Sequence, residues 1–129
     1  MTQEEMKART KQFALRILKL VQSLPPNLVT NTIGKQLLRS GTSVGANYRA
    51  SCRAKSTPDF INKLTIVEEE ADESIYWMEL LVEAQLVKEN LLKNLMDEGN
   101  QILSIVVSSI KTSKDKTNPQ SEITNPKSL

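Results

Sequence analysis

The sequence predicts an all-α protein, an antiparallel up-down bundle of four helices. Apolar residues recur three and four positions apart along four separate stretches, the spacing of one helix face. Proline and turn residues divide those stretches with short connections, and short connections make successive helices antiparallel. Nothing alternates with period two for long enough to make a strand. With 129 residues, 39% of them apolar and only 4 glycines, the chain suits one helical core.

Thr2 followed by Glu5 reads as a capping box, so the first helix is expected to begin near Gln3. Met6, Phe13, Ile17, Leu20, Val21 and Leu24 form its apolar stripe. Leu24-Pro25-Pro26-Asn27 ends it, because proline offers no N–H and restricts the residue before it. The second helix is expected over 28–55. Ile33, Leu37, Gly41, Val44, Tyr48 and Cys52 fall on one arc, while Lys35, Arg39, Arg49 and Arg53 line the opposite one. Gly41 and Gly45 each weaken this helix by roughly 1 kcal/mol, which close approach of another helix would explain.

Thr57 is expected to cap the third helix, with Pro58 at its first position and Asp59 near the positive end of the dipole. Its core face comprises Phe60, Leu64, Val67, Ala71, Ile75, Met78 and Val82. A break around 86–90 precedes the fourth helix, whose stripe is Leu91, Leu95, Gly99, Ile102, Val106 and Ile110, widened by Leu92, Met96, Leu103 and Val107. The bundle domain is therefore placed at 1–112. Residues 113–129, polar and broken by proline, are expected to form a disordered tail.

Composition narrows the chemistry. Histidine is absent and Cys52 is the only cysteine. That removes the commonest general base and metal ligand, together with any Cys-His or Ser-His nucleophilic pair. The run Glu68-Glu69-Glu70 with Asp72 and Glu73 has no histidine to complete a bundle metal site, so Glu70 and Glu73 read better as partners for arginines. GTSVG lacks the GK[ST] ending of a phosphate loop and sits inside a helical pattern. No enzyme activity, metal or cofactor is expected. No apolar run reaches the length of a membrane span, and the first ten residues lack the apolar core of a signal peptide, so a cytoplasmic protein without a membrane partner is expected.

Charge is segregated. Residues 1–56 carry ten Lys/Arg against two Glu, and residues 57–100 carry three Lys against eleven Asp/Glu, although the whole chain is only +2. The row Lys35, Arg39, Arg49 and Arg53 extends about 27 Å along the helix axis and is the candidate nucleic-acid-binding surface. The same cations could instead pair with the acids of the third helix. Trp77 stands about 100° from the core direction marked by Met78, on a second apolar arc with Ile66 and Leu80. One core needs one stripe per helix, so Ile66, Glu70, Glu73, Trp77 and Leu80 are the candidate oligomer interface.

The order and spacing of QLLRSGTSVGAN, DFINKL and EEEADESIYWMELL resemble the 23S rRNA intervening-sequence protein family, bacterial four-helix proteins, over roughly residues 8–110. Gln36, Leu37, Arg39, Ser40, Ser43, Ala46 and Asn47 match its second-helix pattern. Phe60, Ile61, Glu70, Ala71, Tyr76 and Trp77 match the third. The resemblance implies an up-down bundle assembled as a ring-like homopentamer, with no settled biochemical role. A related pentamer, the accessory protein of diversity-generating retroelements, binds a reverse transcriptase and nucleic acid. The partners implied are thus further copies of the chain, RNA, or a nucleic-acid-processing protein. A structural or protein-adaptor pentamer without direct nucleic-acid binding is the alternative.

Overall fold

A computed structural model describes residues 1–117 of the chain. They form four helices in sequence: α1 (Gln3–Ser23), α2 (Leu28–Ser51), α3 (Thr57–Glu83) and α4 (Glu89–Thr117). No strand occurs among the described residues. Each helix packs mainly on the one before and after it. α1 and α4 touch much less than the sequential pairs do.

Local chemistry sets the helix starts. Thr2 and Glu5 form the reciprocal capping box, each bond 3.1 Å. Asn27 caps α2 by accepting from the Thr30 amide at 2.9 Å, and the Thr30 hydroxyl donates back to the Pro25 carbonyl, tightening the double-proline turn. The cap of α3 is Ser56, not Thr57, and accepts from the Asp59 amide at 3.2 Å. Two adjacent hydroxyl residues satisfy the capping pattern equally. Ser56 wins because the Asp59 carboxylate can then accept from the Lys55 amide at 3.2 Å.

α3 ends in a Schellman motif. Gln85 adopts the left-handed conformation at φ 60, the Leu86 amide donates to the Leu81 carbonyl at 2.9 Å, and the Gln85 amide donates to Val82 at 2.9 Å. The reversal into α4 thus occupies 84–88, slightly ahead of the expected break.

Phe13, Ile17, Leu37, Val44, Val67, Met78, Leu81, Leu92 and Ile102 are fully buried and form the central core. Three expectations need correction. α2 stops at Ser51, where the Ser51 hydroxyl turns back onto the Tyr48 carbonyl at 2.6 Å, so Cys52 to Lys55 belong to the connection. In α4 it is Leu92 that lies in the core, while Leu91 is 68% exposed, because the Gly99–Ile110 register projects back onto Leu92. α4 also continues five residues beyond 112. Lys114 and Lys116 sit in its last turn, where cations complement the negative end of the dipole. Of the tail expected at 113–129, residues 118–129 lie outside the described residues.

The glycines of α2 admit α1. A Cβ on Gly41 would collide with Cδ1 of Ile17 and stand 3.1 Å from its Cγ2. One turn on, a Cβ on Gly45 would sit 3.3 Å from the Thr10 carbonyl oxygen. Close approach of another helix is therefore real, and the helix is α1. The Thr10 hydroxyl is buried at this crossing and bonds the Met6 carbonyl at 3.0 Å.

Candidate nucleic-acid interface

The basic residues of α2 share one arc, yet that arc has two flanks. At ~100° per residue, Arg39 lies about 40° to one side of Lys35 and Arg49 about 40° to the other. The first flank turns toward α3 and the second toward α1, and this separates their fates.

Arg39 is committed to α3. Its guanidinium donates to Glu70 at 2.9 Å and to Glu73, with the neighbouring Gln36 side chain accepting at 3.3 Å. Glu73 also accepts the Trp77 indole N–H at 2.9 Å. That indole hydrogen bond and the Arg39 guanidinium hold the Glu73 carboxyl below the usual carboxylate range, against a smaller opposing effect of burial. Inside this exposed cluster the buried hydroxyls of Ser40 and Ser74 meet across the helices at 3.0 Å, and Ser74 lies 2.8 Å from the Glu70 carbonyl. Gln36, Arg39, Ser40, Glu70 and Trp77 of this α2–α3 seam are among the residues whose order and spacing carry the family resemblance. Their role here is to hold two helices in register.

Arg49 and Arg53 have no ion pair among the described residues. They line an open groove of about 570 Å³ between α2 and α1, opposite Lys7 and Lys11. The antiparallel crossing at Gly41 and Gly45 places the last turn of α2, with Arg49, and the start of the connection, with Arg53, beside the first half of α1, and so brings the four cations together. Glu4 is the one carboxylate lining the groove, and it pairs with Lys7 at 3.1 Å. The groove floor is small: Ala8, Ala14, Gly45 and Ala46. Tyr48, next to Arg49 in sequence, is buried and does not line the groove; that burial, with the neighbouring Cys52, pushes its phenol up to about 12. Lys35 is exposed and stands apart from both clusters.

Of the expected interface residues, Glu70 and Glu73 are engaged by Arg39 of the same chain. Trp77 is half-buried against the core, Leu80 is half-buried and Ile66 is 39% exposed. Tyr76, 51% exposed, packs edge-to-face on Trp77 with centroids 5.1 Å apart. It extends the apolar face, and its adjacency to Trp77 was the available signal.

One strong contact had no sequence signal. Arg9 of α1 makes a bidentate pair with Glu98 of α4, at 2.6 and 2.8 Å, and reaches Gln101 at 2.6 Å. It bridges the first and last helices, which otherwise touch much less than the sequential pairs do.

The 23S rRNA-intervening sequence protein family model matches residues 3–108. The chain belongs to this family. It is also similar to a crystal structure from the S23 ribosomal protein family, a protein of unknown function from Bacteroides thetaiotaomicron. The two are 36% identical with a TM-score of 0.76, covering 86% of this chain and 99% of that one. Comparison with functionally curated proteins returns no match. The family and the structural neighbour thus support the four-helix fold and point to no catalytic activity. Among the described residues no helix is long and apolar enough to cross a membrane.

Proposed function

We propose that this protein is a non-enzymatic bundle that assembles with further copies of itself and associates with RNA through the α1-facing flank of α2. The observation that carries the RNA half is the contrast within one basic row. Arg39 is neutralised by two glutamates, while Arg49 and Arg53 face Lys7 and Lys11 across a groove with a single carboxylate. A polyanion gains salt-sensitive affinity from each phosphate such cations neutralise. The family's name, which refers to sequences intervening in 23S rRNA, agrees with an RNA setting.

The second reading, a protein-adaptor assembly, is favoured by the outer face of α3. Ile66 and Tyr76 are open there beside half-buried Trp77 and Leu80, on a helix whose core stripe is already satisfied. The ring-like homopentamer is the assembly proposed for this face. Recovery of the tagged protein at native salt, with and without nuclease, separates the two readings. RNA co-purifying with the wild type, and lost from Arg49→Gln/Arg53→Gln, supports RNA association. Protein partners retained after nuclease, with no RNA recovered, support the adaptor.

A further inference from the structure

Two surfaces offer themselves to a nucleic acid, and they would read it differently. The outer face of α3 presents Tyr76 and Trp77, on which bases could stack, as single strands do on aromatic platforms. Glu69, Asp72 and Glu79 are exposed along the same helix, and their charge disfavours a polyanion there. The α1/α2 groove presents four cations but no aromatic side chain. Phe13 and Tyr48, the rings closest in sequence to it, are buried. Its one hydroxyl, Thr42, already bonds the Leu38 carbonyl at 2.8 Å. The groove therefore neutralises phosphates without an aromatic platform for bases or a side-chain amide to read their edges.

We propose that the groove receives the phosphate backbone of an RNA duplex, held by Lys7, Lys11, Arg49 and Arg53, with no base stacked or read. The inference rests on the RNA association above and narrows it. A duplex hides its base faces and offers phosphates at high linear density, which suits a surface that is only cationic. A single strand draws much of its sequence-tolerant affinity from stacking on aromatic rings, and this groove has none. α1 is thus as much a part of the site as α2. The Lys7–Glu4 pair is exposed, so a phosphate can displace it at little cost.

The test is fluorescence anisotropy of the full chain with a labelled blunt RNA duplex of mixed sequence and with its separated strands, across a salt series. The duplex should bind several-fold more tightly than either strand. Lys7→Gln/Lys11→Gln should weaken duplex binding by roughly tenfold or more and reduce the salt slope by about two, near 0.9 per lost contact. Glu4→Gln removes the groove's only carboxylate and should tighten binding, a gain that misfolding cannot imitate. Lys88→Gln, in the connection at the other end of the bundle, should bind as the wild type does. Trp77, the only tryptophan, should keep its emission on binding. If the wild type binds no RNA, the functional proposal itself falls. The duplex assignment alone falls if RNA binds but prefers single strands, quenches Trp77, or ignores the Lys7/Lys11 and Glu4 changes.

Discussion

Gly41→Ala isolates the packing that positions the groove. Alanine is the better helix residue by about 1 kcal/mol, so propensity alone predicts stabilisation. The added Cβ, however, lands on Cδ1 of Ile17 and 3.1 Å from its Cγ2. Ile17 is fully buried, and besides the mobile Cδ1 its Cγ2 and its Cβ, 3.4 Å away and nearer the backbone, would also have to give. Overpacking of this kind costs about 1–3 kcal/mol, which outweighs the propensity gain and leaves a net loss near 1 kcal/mol. For a domain of this size that lowers Tm by about 4 °C. Ile17→Val removes the colliding methyl and on its own costs about 0.5–1.5 kcal/mol. Introduced into that background, Gly41→Ala should become neutral or stabilising, so the double-mutant cycle should give a coupling of about 1–2 kcal/mol. Urea and thermal unfolding followed by far-UV circular dichroism measure all four variants. A Gly41→Ala protein melting at or above the wild type, or a coupling of zero, would refute the close α1–α2 crossing.

Gln85→Gly relieves an L-residue held at φ 60 and should stabilise by about 1 kcal/mol, read as a rise in denaturation midpoint without a change in slope. Glu73 has a folded-state pKa below its unfolded one, so its contribution is complete above about pH 4.3 and is lost as pH falls through the folded value. Trp77 emission should report that loss below neutral unfolding, and Arg39→Gln should move the change to higher pH while leaving RNA affinity within about twofold, since Arg39 makes no groove contact. Trp77→Ala should reduce the assembly mass in light scattering while retaining helical content, because truncating a central interface tryptophan costs roughly 2 kcal/mol or more per copy. An unchanged mass would return Trp77 to the monomer core alone.

The helices and most of their ends were legible in the sequence because their causes are local. The 3.6-residue period, the Thr2–Glu5 box and the Pro25-Pro26 stop each act within a few residues. Where local rules tie, as between Ser56 and Thr57 or Leu91 and Leu92, the sequence could not choose. A second contact, from Lys55 to Asp59 or from the α4 core register, decided each case. The pairing of Glu70 and Glu73 with arginine was also readable, since charge segregation left few other partners. The sequence placed Lys35, Arg39, Arg49 and Arg53 on one arc but could not say which neighbour each flank would meet. Helical periodicity fixes an angle about one axis, whereas a site depends on how several axes are arranged. Only the tertiary structure placed α1 against Gly41 and Gly45, and so set Lys7 and Lys11 beside Arg49 and Arg53. It also joined Arg9 to Glu98 across 89 residues, because neighbours in a bundle are chosen by packed volume and not by distance along the sequence.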